Sequence, residues 1–507
     1  MSFFRHSLSI TSEYPLLSFW KSKGCWVILY FLAEGLFVSF FSHSLSITSE
    51  YPLLSFWESK GFWDILYFLA ERLFVSFFSC SLSITSEYPL LSFRESKGFW
   101  LILYFLLDYF NISRYTPRHT AMKRNIPGRF ETCFMPSESY RAFIPAPLPP
   151  EPPVNLSGME HLLGQANRSI GELNGVVDTA SDPALLTYMY VRREAVLSSQ
   201  IEGTQSTLDD LMKYESDQVK GVPVPEAEEV STYVAALNHG LRRMNDGFPL
   251  SLRLVREVHE LLLRNSRGSN KRPGVFRESQ NWIGGSRPGN ARFVPPPPHE
   301  VMSCLSAWEQ FMHEENDGIP TLVRAALLHV QFETIHPFLD GNGRVGRLLI
   351  TLYLCASGIL RTPLFYPSLF FKKNRELYYE YLDAVRQHGD WESWVSFFLE
   401  GVTEAARDAK ETLVTAQRYF INGYEKIATL KRAAGSASIV FHEFCRKPLL
   451  TIAEITRETG LSKPTAIKSV RHLLDLGLIA NNSTRKWGQI YTFTRYAELL
   501  ARDTEPL

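Results

Sequence analysis

The sequence predicts a mainly α-helical protein with one small β-hairpin inserted in its helical core and a winged helix-turn-helix at its C-terminus. Three observations predict it. Apolar residues recur at helical spacing from about 155 to 430, and the periodicity lapses only between Gly274 and Pro295. Residues 436–507 then carry a short helix, a turn, a second helix and a strand-like end. Lys+Arg and Asp+Glu both number 53, so any nucleic-acid contact has to rest on a local patch and not on bulk charge. The six cysteines (Cys25, Cys80, Cys133, Cys304, Cys355, Cys445) are scattered without a CxxC pair. That excludes a disulfide framework or a structural zinc site and fits a reducing, cytoplasmic setting.

Residues 1–121 read unlike the rest. The string SLSITSEYPLLSF starts at Ser7 and recurs at Ser44 and Ser81, a period of 37 residues. A folded solenoid keeps its core positions and lets its surface drift. Here Ser12, Glu13 and Tyr14 are copied as faithfully as their apolar neighbours. Such copying points to a duplicated extension, non-native or disordered, with the functional chain starting near Met122. The apolar run from Trp26 to Phe41 is shorter than the ~20 residues of a spanning helix and includes Glu34, which argues against a membrane span.

Residues 122–154 form an arm ending in the proline-rich linker Ala146 to Pro153. The helical region 155–250 follows, with Leu185, Leu186, Met189 and Tyr190 on its core face. In 251–402, Leu254, Val258, Leu261 and Leu262 share one side of a helix that starts at Ser251. Val275-Phe-Arg and Ala291-Arg-Phe-Val flank a Gly/Ser/Asn-rich centre and are expected to be two short strands and a loop. Helices are expected over 301–314, 324–334, 345–356 and 375–387, then a connecting helix in 403–435. The terminal module spans 436–507, with Ser462 capping the helix Thr465–Leu476, whose Ile467, Val470 and Leu474 point inward.

The chemistry concentrates in His336-Pro-Phe-Leu-Asp-Gly-Asn-Gly-Arg-Val-Gly-Arg347. Pro337 lacks an amide donor and ends the preceding helix at His336. Gly341, Asn342 and Gly343 allow several amides to point one way at the start of a new helix, which is an anion site. Arg344 and Arg347 lie one turn apart, so both guanidiniums can reach one phosphate chain. Asp340 is a hard oxygen ligand suited to Mg²⁺ shared with phosphates. His336 is the one side chain here whose ordinary pKa lies near neutral, as a general base requires. Together these residues make a site for phosphoryl-type transfer.

The pattern H-x-F-x-[DE]-G-N-G-R-x-x-R resembles the signature of Fic-domain proteins at every specified position, and the resemblance extends over roughly Met122 to Leu507. It implies a Fic helical core and transfer of AMP from ATP to a Ser, Thr or Tyr hydroxyl. His336 would take the hydroxyl proton and Asp340 would hold Mg²⁺. Gly341, Asn342, Gly343 and Arg344 would cradle phosphate, while Arg347 would align the γ-phosphate. Asn374 matches a family asparagine near the adenosine, and it also suits a helix N-cap before Arg375. The intact GNGR favours AMP over the kinase outcome of Doc relatives.

Upstream, Ser198-Ser-Gln-Ile-Glu202-Gly203 resembles the Fic inhibitory motif [ST]-x-x-x-E-[GN]. Glu202 would pair bidentately with Arg347 and displace the γ-phosphate. The 275–294 segment resembles the family's flap, which holds a target segment as an added strand, with Trp282 and Ile283 at its tip. Lys463, Lys468, Arg471, Arg485 and Lys486 give the terminal module a modest basic surface. The partners implied are a hydroxyl-bearing target protein, the chain itself, a second copy, and DNA through the winged helix. Two alternatives accompany the enzyme: a nucleotide-sensing DNA-binding regulator, and a Fic enzyme run in reverse to remove AMP.

Overall fold

The computed structural model describes the main chain of residues 18–22, 25–32 and 35–41, and residues 127–506 apart from 137, 181, 217–223, 265–267, 315–316 and 482–488. The start expected near Met122 and the basic pair Arg485 and Lys486 lie outside the described residues. The chain divides into two units, Met1–Phe105 and Leu106–Leu507. In the first, β1 (Ser18–Ser22), β2 (Cys25–Leu32) and β3 (Gly35–Phe41) form an antiparallel meander in the order β1-β2-β3. Ser22 pairs with Cys25 and Leu32 with Gly35, so both connections are two residues long.

The second unit opens with an unexpected hairpin, β4 (Gly128–Met135) and β5 (Glu138–Pro145), where the sequence reads as an arm. Helices α1 (Glu160–Asp178), α2 (Pro183–Ile201), α3 (Leu208–Tyr214), α4 (Val224–Asn245) and α5 (Leu252–Leu262) follow. Leu185, Leu186, Met189 and Tyr190 are buried on α2, and Leu254, Val258 and Leu262 on α5, as their spacing predicts. Leu261 is only partly buried.

The segment 275–294 differs from expectation. It contains no continuous strand pair, only the single bridge Ile283↔Phe293 and one 3-10 turn at Pro288–Asn290. Gly284 and Gly285 both have positive φ, Pro288 sits in the 3-10 turn and Pro295 to Pro298 follow the return arm directly, so a longer ladder cannot form. The flap is nevertheless anchored to the hairpin, because Phe143 N donates to Val294 O at 2.9 Å.

Next come α6 (Pro298–His313), α7 (Thr321–Ile335), α8 (Asn342–Ala356), α9 (Ser368–Lys373), α10 (Arg375–His388) and α11 (Trp391–Ala428). Every residue of α7 from Leu322 to Ile335 is buried, as expected of a helix enclosed on all sides. The boundary expected at 402–403 falls inside α11, a continuous helix of 38 residues. Asp390 caps its start, its carboxylate accepting from Ser393 N at 3.2 Å, and no proline interrupts it.

The terminal module runs α12 (Ala434–Arg446), β6 (Leu449–Thr451), α13 (Ile452–Thr459), α14 (Lys463–Asp475), β7 (Ala480–Asn481), β8 (Ile490–Thr492) and α15 (Thr494–Ala501). Its small sheet has the order β6-β8-β7. Thr451 and Glu454 form a reciprocal capping box on α13, Gly460 ends it at φ +66°, and Ser462 caps α14. Ala466, Ser469, Val470 and Leu473 are the buried positions of α14, while Ile467 is 40% exposed and Leu474 half-buried. The inner face is thus rotated from the one expected. Residues after α15 fold back on α2: Gln200 Nε2 donates to Thr504 O at 2.8 Å and Arg193 Nη2 to Arg502 O at 3.2 Å.

Candidate active site

The motif occupies the turn between α7 and α8, two buried helices that fix its ends. Pro337 stops α7, and His336 leaves the helix in the left-handed region at φ 49°, ψ 60°, uncommon for a residue with a Cβ. The sequence predicts the departure from helical dihedrals but not its direction. The imidazole is half-buried, and its Nδ1 has no hydrogen-bond partner in the protein. Its pKa is lowered to about 3, first by burial and then by the Arg386 and Arg277 guanidiniums; the Glu333 carbonyl and Glu202 act in the opposite sense.

The loop is braced by three groups. Asn342 accepts from Phe338 N and donates to Phe338 O, both at 2.8 Å, so its side chain serves the loop's shape and leaves its amide free for an anion. Gly341 takes φ +78° as the N-cap of α8, and its amide donates to Asp340 Oδ1 at 2.6 Å. His259 on α5 lies beneath, stacked on Phe338 with ring centroids 3.6 Å apart. Its Nδ1 accepts from Gly274 N at 2.9 Å, which assigns the proton to Nε2, 3.0 Å from Asp340 O. Burial pushes this histidine's pKa down to about 4, keeping it neutral.

The Asp340 carboxylate is 42% exposed, with Arg344 Nη2 at 3.8 Å from Oδ1. A single accessible carboxylate at the lip of a glycine loop suits Mg²⁺, which binds through one or two carboxylates plus substrate phosphates and keeps several waters.

The two arginines do not share a partner. Arg344 is buried against Glu229 of α4, Nη1 to Oε1 at 2.6 Å, so the expectation that both guanidiniums converge on one anion is not met in this structure. Both faces of α8 are buried, and each arginine is claimed by the helix on its own side. Arg347, 1% exposed, turns to α2: Nε donates to Ser198 Oγ and Nη2 to Ser198 O, each at 2.9 Å, and Nη2 also to Glu202 Oε1 at 2.8 Å. The guanidinium fork is therefore bidentate on Ser198 and makes one bond to Glu202, where the sequence suggested a bidentate carboxylate pair. Glu202 follows the last turn of α2, its side chain 36% exposed, and Gly203 turns away at φ +93°. Burial raises the Glu202 pKa, but Arg347 outweighs it and the net direction is downward. A Cβ at Gly343 would lie 2.2 Å from Glu202 Oε1, so this carboxylate rests directly on the glycine loop.

Asn374 sits where α9 ends and α10 begins. Its Nδ2 donates back to Phe370 O at 3.0 Å, and it makes no side-chain cap on α10. Two buried carboxyls escaped the sequence reading. Glu333 on α7 lies over Gly346 of α8, and Glu194 sits one turn below Ser198 on α2, receiving bonds from Tyr233 (3.2 Å) and Ser368. Burial pushes both up to about 7 against the pull of Arg347. The signal for Glu194 was its spacing, four residues before Ser198 and eight before Glu202. At the flap tip Trp282 is 37% exposed.

Residues 161–242 match the family model described as Fic/DOC family N-terminal, and residues 249–354 the one described as Fic/DOC family. Curated relatives named protein adenylyltransferase Fic include one from Culex quinquefasciatus, 29% identical over 184 residues, covering 36% of this chain and 34% of that one. Another, from Aedes aegypti, is 26% identical over 291 residues, 54% of each chain. The chain thus spans about a third to a half of the length of the curated relatives it matches. Among solved structures, a Fic family protein from Desulfovibrio desulfuricans G20 aligns at 24% identity and TM-score 0.44, over 67% of this chain and 97% of that one. Fic-1 from C. elegans aligns at 21% identity and TM-score 0.40, over 51% and 74%.

Proposed function

We propose that this chain, which carries the two Fic/DOC segments, is a protein adenylyltransferase that moves AMP from ATP to a Ser, Thr or Tyr hydroxyl and is held off by Glu202. One observation carries the reading: the glycine loop opening α8 has His336, Asp340 and Arg347 around it and the carboxylate of Glu202, just past the end of α2, lying on Gly343. A carboxylate in that place mimics the anion that free amides and a helix N-terminus attract.

With Glu202 displaced, the amides of Asn342 and Gly343, joined by that of Gly341 as it leaves Asp340 Oδ1, hold the phosphate chain, and Arg347 keeps its Nε bond to Ser198 Oγ while Nη2 exchanges Glu202 for the γ-phosphate. Asp340 would hold Mg²⁺, which when bound neutralises charge on the phosphates. The neutral His336 imidazole accepts the target's hydroxyl proton as that oxygen attacks the α-phosphorus, and pyrophosphate leaves. The triphosphate's negative charge raises the proton affinity of His336 from its depressed value in the empty site. The flap beside His336 is where a target segment would lie, and Trp282 and Ile283 offer it apolar contact.

Glu202 bonds Arg347 through Oε1, which leaves Oε2 to orient a water, so the reverse reaction, removal of AMP from a modified protein, uses the same site. Exposed Lys463, Lys468 and Arg471 on α14 offer phosphate contacts for DNA. Incubation with α-labelled ATP tests the forward reading: label on protein that disappears in His336→Ala supports it, and no label in the Glu202→Gly chain counts against it. Release of AMP from pre-labelled protein by the parent chain would instead favour the reverse reaction.

A further inference from the structure

We infer that Arg277 is the positioning residue for His336, holding the histidine's left-handed backbone and fastening the flap stem to the catalytic turn. The inference rests on the reading of His336 as the base. Arg277 is 3% exposed, and its side-chain hydrogen bonds all go to main-chain carbonyls. Nε donates to His336 O at 2.9 Å, Nη2 to Pro296 O at 2.6 Å and Ile335 O at 3.3 Å, and Nη1 to Ser279 O at 3.4 Å. Its own amide donates to Pro337 O at 2.9 Å. No carboxylate is among these partners, and burial pulls its pKa down to about 10. A buried cation without a counter-ion is costly, so its retention calls for a use.

That use is at the end of α7. The last carbonyls of a helix lack partners within it, and here the chain also leaves through a backbone region disfavoured by a Cβ. Arg277 satisfies the carbonyls of Ile335 and His336 and, through its amide, Pro337. Asn281 adds bonds to His336 O (3.3 Å) and Phe338 O (2.8 Å). Since Arg277 and Asn281 both belong to the flap segment, a target strand laid on the flap bears on the same residues that set the imidazole's orientation. The charged groups facing His336 are Arg277 from the flap stem, Arg386 from α10 and Glu202 after α2, while Glu333 of α7 acts through its main-chain carbonyl. Both cations favour the neutral imidazole that can take a proton.

The test uses the full chain with Glu202→Gly as parent, so that the brake does not limit turnover. Arg277→Lys, Arg277→Gln and Asn281→Ala are compared for kcat against pH, ATP-analogue affinity and Tm. Both Arg277 variants are expected to lose about tenfold or more in kcat, the scale of a misplaced catalytic group, with nucleotide affinity retained. Gln, which removes the charge, moves the acid limb of the kcat profile to higher pH, and Lys does not. A folded Arg277→Gln chain with the parent's kcat and acid limb overturns the inference, as does loss of kcat and nucleotide affinity in step. Should both Arg277 variants fail to fold, Asn281→Ala decides: reduced kcat with intact nucleotide affinity supports positioning, and unchanged kcat overturns it. A parent that itself transfers no AMP sinks the proposed function instead.

Discussion

Replacing Glu202 by glycine removes the carboxylate that lies on Gly343 and returns one Arg347 donor to the phosphate site. The magnitude follows from the contact. A hydrogen bond to a charged group contributes about 1.5–3 kcal/mol. Glu202 is 36% exposed, so screening brings that to roughly 1–2 kcal/mol. At 1.4 kcal/mol per tenfold, the population of sites open to a productive triphosphate rises about five- to thirtyfold. Removing the bulk over the loop adds to that. Position 202 lies beyond the last residue of α2, so the glycine costs the helix little. The assay is incorporation of α-labelled ATP into the chain itself and into added protein, with His336→Ala as blank. Glu202→Gln, which keeps the shape and loses the charge, should fall between parent and Gly. Equal incorporation by parent and Glu202→Gly, above a silent His336→Ala control, would refute the brake.

Three further outcomes follow from the same geometry. Asp340→Asn keeps the acceptor for Gly341 N but loses the charge, so half-maximal activity should need roughly tenfold more Mg²⁺; an unchanged Mg²⁺ titration would remove Asp340 from that role. Glu333 has a folded pKa raised to about 7 from 4.5, so the stability it contributes is full below about pH 4.5 and lost as pH rises to 7. Denaturant titration should therefore find Glu333→Gln gaining up to about 3 kcal/mol on the parent between pH 4.5 and 7, and parallel profiles would contradict a buried neutral carboxyl. Deleting residues 502–507 strips partners from Gln200 and Arg193 on α2. It should lower Tm by several degrees and raise self-labelling in the parent, but leave self-labelling unchanged in Glu202→Gly.

The motif was legible because its chemistry is local: a proline, three glycines and five polar residues within twelve positions dictate a turn between helices. Glu202 was legible through spacing along one helix. Its bond geometry was not, because Ser198 takes two of the Arg347 donors, and only the approach of α2 to α8 decides that. Arg344 misled for the same reason: its partner, Glu229, is 115 residues away. The β4–β5 hairpin was missed because β4 buries neither face, with Phe130 and Phe134 43% and 81% exposed, so alternation carried no signal there. The flap was read as strands from its composition, whereas its two positive-φ glycines, Pro288 and the prolines that follow Val294 leave room for one bridge. His259, Glu333 and Arg277 look like ordinary helix or loop residues until tertiary packing brings them under the motif.

The central claim is AMP transfer through His336, and the position of the label in ATP tests it most directly. The Glu202→Gly chain, incubated in parallel with α-labelled and γ-labelled ATP, should acquire label from the α-phosphate and none from the γ-phosphate. The protein mass should rise by one AMP per modified site, and His336→Ala should abolish both signals. Label arriving from the γ-phosphate, or AMP incorporation that persists without His336, would contradict the account.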